Sequence, residues 1–352
     1  MFEQGPIRPP SEASSLLVRV TRNCPWNRCL FCPAYKGVAF SRRTVEEVKR
    51  DIDAMARQYA VYKEQITSAF LQDANSLMVT TKDLLEIIRY IKEKFPGISR
   101  ITTYARAKAM SRKTLDEYKE LKEAGLTRIH TGMESGSAAV LKMVQKGSRP
   151  RDIVDGGRKV MEAGISLSEY IMPGLGGKTM SEEHARETAR LLNIIQPDFI
   201  RVRTFAMHPM SPMQKMVEEG TFVPMSDEEI VAEIRLLVSE LKEMHSHFRC
   251  GDFSLNLLMQ VDGYLDSDKD AMLKELDRYL ALTTTQKQAY SLLRRSHPAM
   301  QYPIDVVKDE EVLRQISQQI EELEHGDKDG FNKYIYQLMT YQLPQPQTDA
   351  WV

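Results

Sequence analysis

The sequence predicts an α/β fold in which six strand–helix units form a partial (β/α)6 TIM-like barrel, followed by a helical C-terminal extension. Short runs rich in β-branched and aromatic residues alternate with helix-period segments up to about residue 225. Glycine or proline stands at several of the boundaries between them. After residue 225 only segments with the apolar spacing of a helix follow. Such alternation predicts right-handed parallel crossovers, with functional loops at the carboxyl ends of the strands.

The individual elements follow from local patterns. The six predicted strands cover residues 16–21, 66–71, 100–104, 128–132, 165–172 and 199–205. The helices between them cover residues 44–59, 81–94, 111–124, 137–146, 150–163 and 181–195. Gly125 and Gly147 stand where a helix C-terminal glycine belongs. Ser181, followed by acidic residues, is the predicted N-cap of the last of these helices.

Three further helices are predicted after the barrel, over residues 226–246, 268–282 and 309–323. The chain is therefore divided into an N-terminal arm (1–13), a core barrel (14–225) and a helical C-terminal extension (226–352).

The composition describes an ordinary globular protein. The 352 residues carry a formal net charge of -1 with 28% charged residues, and no basic patch signals nucleic-acid binding. No apolar run approaches membrane-spanning length, and the polar N-terminus lacks the apolar stretch of a signal peptide. Four cysteines, of which three share one loop, do not form a secreted disulfide framework. We expect a cytoplasmic protein with no membrane partner.

The most specific motif is a cysteine triplet directly after the first predicted strand. Cys24, Cys29 and Cys32 form a C-x4-C-x2-C pattern. Three thiolates are one ligand too few for a closed tetrahedral zinc site. They suit an iron–sulfur cubane with one iron left open, which is oxygen-sensitive chemistry. Two alternatives stand beside this interpretation, namely a zinc site completed by Cys250 and a chance clustering of packing cysteines.

This loop resembles the radical SAM superfamily. There a C-x3-C-x2-C loop after the first barrel strand holds a [4Fe–4S] cluster, and S-adenosylmethionine (SAM) binds the open iron and is reductively cleaved to a 5′-deoxyadenosyl radical. In this chain the first spacing is one residue longer. Phe31 stands where the family places an aromatic ring near the adenine. The resemblance covers roughly residues 14–225 and looks most like uncharacterised proteins related to anaerobic magnesium-protoporphyrin cyclase, oxygen-independent coproporphyrinogen oxidase and Elp3.

The resemblance implies SAM contacts after the second and third strands. Family members bind the methionine amine of SAM after the second strand, where Gln72 and Asp73 stand in this chain. These residues supply acceptors for a cationic amine, or else they make local turn bonds. After the third strand, Arg106 is suited to a cofactor carboxylate, with a solvated surface charge as the alternative.

Further contacts are implied after the fourth and fifth strands. Glu134 and Ser135 belong to a G-x-E-S-G-S string that closely matches many members of the superfamily, and they are expected to reach cofactor hydroxyls or the amine. An ordinary strand–turn–helix is the alternative. Gly174 and Gly176 belong to a glycine-rich loop that family members use to bring the backbone close to the adenine. A dinucleotide fingerprint is excluded here, because position 179 is threonine and the loop is in the fifth unit.

The function implied is an enzyme that reductively cleaves SAM at a [4Fe–4S] cluster to start a radical reaction on an unidentified small-molecule substrate. An electron donor such as flavodoxin or ferredoxin is the expected partner. Two alternatives remain, namely a non-catalytic iron–sulfur electron-transfer protein and a zinc-stabilised binding module. No residue is assigned to catalysis on the substrate, because substrate contacts carry no motif.

Overall fold

The structure is a computed structural model that describes residues 2–343. Its strands are β1 (Leu16–Arg19), β2 (Thr21–Arg22), β3 (Ser41–Arg42), β4 (Ser68–Gln72), β5 (Arg100–Ala105), β6 (Leu126–Glu134), β7 (Ser166–Ile171), β8 (Phe199–Val202), β9 (His247–Arg249) and β10 (Asp262–Tyr264). Its α-helices are α1 (Val45–Gln58), α2 (Thr81–Lys94), α3 (Ala107–Met110), α4 (Leu115–Ala124), α5 (Ala138–Met143), α6 (Pro150–Glu162), α7 (Gly177–Ile195), α8 (Met213–Glu218), α9 (Asp227–Glu240), α10 (Lys269–Leu280), α11 (Thr284–Ser296), α12 (Glu310–Glu324) and α13 (Gly330–Thr340).

One open sheet organises the molecule. Its eight strands run in the order β1-β4-β5-β6-β7-β8-β9-β10, and every neighbouring pair up to β8–β9 is parallel. Only β10 is antiparallel, against β9. The first six of these strands are the six that the sequence predicts. The partial barrel with a helical C-terminal region is therefore confirmed.

The sheet continues beyond residue 225, which the sequence analysis did not foresee. β9 and β10 join the sheet from the region expected to be purely helical. The helix expected over 226–246 ends at Glu240, and the chain turns through Leu241 and Met244 into β9. Both residues are buried and continue the helical spacing of α9. The spacing of apolar residues in the sequence therefore does not show where the helix ends.

The predicted N-cap at Ser181 is also wrong. Helix α7 begins at Gly177, one turn earlier. The Ser181 hydroxyl donates instead to the carboxylate of Glu233 on α9, at 2.5 Å. A serine followed by acidic residues is typical of a helix N-terminus, but here the serine hydroxyl binds a residue that is distant in sequence.

The two faces of the sheet differ in chemistry. The outward face packs against the helices through apolar side chains such as Leu16, Val18, Leu167 and Ile200, all buried in the main hydrophobic core. The inward face lines a lumen with arginine, tyrosine and histidine side chains, described below. Parallel strands buried on both faces place their functional loops at one edge, the carboxyl ends.

The N-terminal arm lies against this lumen. The backbone amide of Gly5 donates to the Gln72 side chain at 2.9 Å. Further along the arm, the buried Glu12 carboxylate pairs with Arg100 at 2.7 Å and lies 3.3 Å from His130. Burial opposes ionisation of Glu12, but these contacts and Ser15 lower its pKa to about 2. An ionised carboxylate therefore closes the amino-terminal end of the lumen.

No helix formed by residues 2–343 combines the length and apolar character needed to cross a membrane.

Candidate cofactor site at the carboxyl ends of the strands

The cysteine loop, residues 23–40, extends from a short hairpin beyond β1. Strands β2 and β3 pair antiparallel and hold the two ends of the loop together. At its start, the Asn23 amide donates to Asp73 Oδ2 at 2.9 Å, and Arg19 donates to the same oxygen at 2.7 Å. Asn23 has a φ of 67°, a left-handed conformation that asparagine tolerates well. The loop is thus fixed to the end of β4.

Long-range hydrogen bonds hold the middle of the loop. The Leu30 amide donates to the Val144 carbonyl at 3.0 Å. The Ser211 hydroxyl donates to the Leu30 carbonyl at 2.7 Å. The Lys36 ammonium donates to the Cys29 carbonyl at 2.9 Å. Segments after β6 and after β8 therefore converge on the cysteines.

The three thiols share a strongly cationic environment. Cys29 is buried, while Cys24 and Cys32 are half-buried. Burial raises the pKa of the Cys29 thiol to about 12, against the opposing influence of Lys146 and Arg106. Burial raises the pKa of Cys32 as well. Thiolates at these positions therefore require further positive charge, which metal ions supply.

Within residues 2–343, no three His, Cys, Asp or Glu side chains converge closely enough to share one metal ion. In a four-iron cubane each cysteine binds a different iron, so the ligands surround a volume instead of meeting at a point. Cys250 lies in the main hydrophobic core with Phe248 and Leu257, and burial raises its pKa.

Phe31 belongs to a small apolar cluster beside the cysteine loop. The cluster is separate from the main core, and its buried members include Cys29, Phe31, Met172, Leu175 and Phe205. The Lys146 ammonium lies 5.7 Å from the centre of the Phe31 ring. An apolar surface with the Lys146 ammonium at its edge thus lies next to the thiols.

Arg106 lies at the edge of the same loop. Its guanidinium donates to the Lys146 carbonyl at 2.9 Å and lies 5.3 Å from the centre of the Trp26 ring. Its charge acts on Cys24 and Cys29, and burial lowers the pKa of the guanidinium. Among residues 2–343 no carboxylate pairs with Arg106 within 4.0 Å, so its anion-binding capacity is open.

Glu134 adopts a left-handed backbone conformation at the end of β6, with a φ of 62°. Its carbonyl accepts from the Met172 amide at 3.0 Å and contacts His184 Nε2 at 3.2 Å. Its carboxylate pairs with Lys146 at 2.7 Å. A Cβ at the nearby Gly132 would lie 2.0 Å from Glu134 Oε1, so a side chain there would displace the Glu134 carboxylate from its present position. A strained backbone conformation such as that of Glu134 persists only where surrounding contacts hold it, and it is typical of functional sites.

Ser135, the next residue, is fully buried. Its hydroxyl accepts from the Ser137 amide at 3.0 Å, and so it orders the turn into α5. Ser137 in turn is the N-cap of that helix. Ser135 therefore acts on the local backbone and does not face an open surface.

Gln72 and Asp73 lie beneath the N-terminal arm. Gln72 donates to the Ile7 carbonyl at 3.0 Å in addition to its contact with Gly5. Asp73 is committed to Arg19 and Asn23 through Oδ2, while its buried Oδ1 has no hydrogen-bond partner. Burial raises the pKa of Asp73. Both side chains fasten the arm and the cysteine loop.

A buried ion pair stands behind the glycine-rich loop. Glu233 of α9 accepts from the Gly174 amide at 2.8 Å and contacts His184 Nδ1 at 3.2 Å. Burial opposes protonation of His184, but the Glu233 carboxylate overcomes it and raises the pKa. Gly174 has a φ of 87°, and Gly176 caps α7. Through His184, this pair links the glycine-rich loop to the Glu134 carbonyl.

The sequence analysis missed His184 and Glu233. Glu233 stands between the apolar positions Ile230 and Leu237 on the buried face of α9, and this placement is a signal for a paired buried charge. The partner could not be identified, because it lies on a different helix 49 residues earlier.

The structure brings most of the predicted residues together. Lys146, to which the sequence analysis assigned no role, has Cys29, Cys32, Phe31, Arg106 and Glu134 around it. Gly174 and Gly176 adjoin this group through the apolar cluster and the His184–Glu233 pair. Gln72 and Asp73 lie on the arm side of the site.

An open parallel barrel with a cysteine-rich loop after its first strand defines a class of cofactor-dependent barrel proteins. The family model described as "Radical SAM superfamily" matches residues 18–192, about half of the chain. The chain belongs to this superfamily, whose members use a [4Fe–4S] cluster and SAM.

Relatives of known or partly known function match part of the chain. An uncharacterized methyltransferase of Pyrococcus horikoshii is 26% identical over 173 residues, which are 48% of this chain and 35% of that protein. A GTP 3′,8-cyclase of Clostridium botulinum is 24% identical over 226 residues, which are 62% of each chain. The chain thus spans about one third to three fifths of the length of these relatives.

The fold also matches a solved structure. The radical S-adenosylmethionine methyltransferase TsrM from Kitasatospora setae superposes with a TM-score of 0.51 at 13% sequence identity, covering 75% of this chain and 62% of that chain. At this identity the similarity concerns the fold alone.

Proposed function

We propose that this protein is an enzyme that binds a [4Fe–4S] cluster through Cys24, Cys29 and Cys32 and reductively cleaves SAM beside it. The cleavage starts a radical reaction on a small-molecule substrate. The observation that carries the proposal is the set of three thiols on one loop, at the carboxyl end of the first barrel strand, facing Lys146 and Arg106. The matched family region, residues 18–192, includes all of these residues.

The residues present fit the cluster. Three soft thiolates are the donor type that iron–sulfur clusters require, and a triplet leaves one iron without a protein ligand. The positive charges around the loop offset the negative charge of a thiolate-bound cluster. When bound and reduced, the cluster supplies the electron that cleaves SAM.

The chain supplies several groups that suit the parts of SAM. Arg106 has an open guanidinium for the carboxylate. Phe31 and the apolar cluster offer an apolar surface for the adenine, which the backbone at Gly174 approaches. Glu134 is oriented toward the hydroxyls or the amine by its pairing with Lys146.

Four of the predicted SAM contacts act indirectly in this proposal. Ser135 orders the turn after Glu134. Because the Gln72 and Asp73 side chains bind protein groups, the segment after β4 contributes acceptors through its backbone carbonyls. Gly176 provides the start of α7.

The electron donor is proposed to be a flavodoxin or a ferredoxin. Such donors are acidic, and the exposed Arg28 places a basic side chain on the cysteine loop. The cytoplasm is the proposed location, since a reducing compartment suits an open cluster. The alternatives of a non-catalytic electron-transfer protein and a zinc-stabilised module find no support in the family match.

The test is cleavage of SAM by the anaerobically reconstituted protein. With dithionite and no added substrate, we expect slow formation of 5′-deoxyadenosine and methionine, measured by liquid chromatography and mass spectrometry. A reaction without reductant is the control and should give neither product. Methylthioadenosine as the sole product would indicate a different bond cleavage, and no cleavage would favour the electron-transfer alternative.

Removal of the Glu233 carboxylate should weaken both the fold and SAM binding. In Glu233→Ala, the buried His184 and the Gly174 amide lose their shared acceptor, so we expect a loss of about 3–5 kcal/mol in the free energy of unfolding. SAM binding, followed by the change in the cluster's EPR signal, should weaken at least tenfold. Glu233→Gln keeps one oxygen acceptor and should lose less.

Glu228→Ala is the matched control on the same helix. Its carboxylate is half-exposed and, within residues 2–343, pairs only with Lys287, at 2.8 Å, so the stability should change by less than about 1 kcal/mol. SAM binding that survives unchanged in a folded Glu233→Ala protein would contradict a positioning role for the pair.

A further inference from the structure

The barrel lumen contains a continuous row of aromatic rings. Ring centres are 5.1 Å apart for Phe70 and Tyr104, 6.1 Å for Tyr104 and His130, and 6.2 Å for His130 and Tyr170. The row ends with Phe253, 6.0 Å from Tyr170. These rings come from four adjacent strands and from the segment after β9. Together they form a wall of edge-to-face and tilted rings that we call the aromatic wall.

Arginine side chains from six positions share this inward face of the sheet. Five of them have an acceptor within the protein. The pairs are Arg19 with Asp73, Arg100 with Glu12, Arg128 with the Ser166 hydroxyl, Arg201 with Asp252, and Arg249 with Asp252 and Asp262.

Arg203 is the exception. It follows β8 at the carboxyl end, and its guanidinium lies 5.9 Å from the centre of the Phe253 ring. Among residues 2–343 its side chain makes no hydrogen bond and no ion pair, whereas its backbone amide donates to the Ile171 carbonyl. A half-buried guanidinium without an acceptor retains its full capacity for an anion.

Within residues 2–343, two buried phenol groups also have no hydrogen-bond partner. Tyr170 is 8% exposed, and its buried hydroxyl makes no hydrogen bond. The hydroxyl of Tyr35, which is 2% exposed, is unpartnered in the same way. Buried tyrosine hydroxyls normally find a partner. The Arg203 charge acts on Tyr170, on Tyr104 and on the Cys32 thiol, so these groups share one region beneath the cysteine loop.

We propose that the lumen binds a substrate with an anionic group, a carboxylate or a phosphate, attached to a planar ring. The anionic group pairs with Arg203 and accepts from the Tyr170 hydroxyl. The ring packs against the end of the aromatic wall formed by Phe253, next to Arg203. This inference rests on the proposed function, because the lumen opens toward the site assigned to the cluster.

The position of Arg203 favours the substrate over SAM. Arg106 is also open, and it lies against the cysteine loop, where its charge acts on Cys24 and Cys29. Arg203 lies against the aromatic wall instead, through Phe253. Arg106 is thus available for the SAM carboxylate, and Arg203 is available for the anionic group of the substrate. The other assignment, with Arg203 on the SAM carboxylate, is an outcome that the experiment distinguishes.

The test is binding of simple probes to the holoenzyme with SAM bound and no reductant. Phenylacetate and phenyl phosphate carry the two kinds of anion on a ring, and phenylacetamide is the neutral control. Calorimetric titration should show binding of at least one anionic probe. In Arg203→Met this binding should weaken at least tenfold, while the neutral probe is unaffected. Whichever anion binds more tightly identifies the substrate's anionic group.

Three further variants test the roles assigned to the Arg203 charge and the Tyr170 hydroxyl. Arg203→Lys retains a charge and should keep most of the binding. Tyr170→Phe removes only the hydroxyl and should weaken binding severalfold. Arg128→Met is the matched control, since Arg128 is also inward-facing and lacks a carboxylate partner but lies near the amino-terminal end of its strand, beside Ser166; it should bind the probes as the wild type does.

The proposal is overturned if the wild type binds no anionic probe, or if Arg203→Met and Arg203→Lys both bind the anions normally. It is also overturned if Arg203→Met weakens SAM binding tenfold and leaves probe binding intact, since Arg203 would then belong to SAM. Because probe binding requires no turnover, these outcomes are separate from failure of SAM cleavage, which would contradict the proposed function itself.

Discussion

Replacing Cys29 with alanine should abolish the iron–sulfur cluster, which is the largest effect we expect from a single substitution. The anaerobically reconstituted wild type should hold about four irons per chain with a broad visible absorbance. Cys29 is the buried member of the triplet, and its loss leaves two half-buried thiols. Two thiolates cannot hold a cubane that already lacks its fourth protein ligand. Iron and sulfide analysis and the visible spectrum measure the loss, and Cys24→Ala and Cys32→Ala should behave alike.

Cys250→Ser is the matched control for these variants. Cys250 is buried in the main core next to Phe248, far along the chain from the cysteine loop. As an ordinary core cysteine it should tolerate serine with a modest loss of stability and with full iron content. Full iron content in Cys29→Ala, or loss of the cluster in Cys250→Ser alone, would contradict the assignment of ligands.

Ending the chain after residue 225 should prevent the barrel from folding. The reason is that β9 and β10 belong to the sheet and Glu233 holds the glycine-rich loop. Burial of Ile230, Ile234, Leu237 and Val238 on α9 alone contributes roughly 6–12 kcal/mol at about 1.5–3 kcal/mol per side chain. That is comparable to the net stability of a whole domain.

A longer truncation, after residue 268, provides the comparison. It retains α9, β9 and β10 and removes the helices from α10 onward. We expect it to recover part of the soluble yield and of the iron content that the shorter chain lacks. Size-exclusion chromatography and iron analysis after reconstitution measure both quantities. A monodisperse, iron-containing chain ending at 225 would show that the sheet does not depend on its last two strands.

The sequence predicted the parallel strands because each has a compact apolar run between helix-period segments. The strands from 68 to 134 illustrate this, and helix α2 matches its predicted bounds at both ends. β9 was missed because it has only three residues, fewer than any periodicity can register. The cysteine loop was predictable from spacing alone, since thiol clustering is local in sequence.

The charged part of the site was not predictable in the same way. Lys146 and Glu134 are 12 residues apart, and their pairing depends on the left-handed backbone at Glu134. The His184–Glu233 pair and the open guanidinium of Arg203 depend on which strands and helices become neighbours. Periodicity indicates that a residue is buried, but it does not indicate its partner.

The hydrogen bond from Ser211 to the Leu30 carbonyl has a consequence for synthesis on the ribosome. It joins residues 181 positions apart, and the Asn23 and Leu30 contacts to residues 73 and 144 form earlier in the growing chain. Contacts of such long range form late, because a large loop must close first. The anchoring of the three thiols is therefore incomplete until more than half of the protein has been made. During that interval the thiols are open to oxidation and to stray metal ions, and a reducing compartment would protect the unfinished chain before any cofactor arrives.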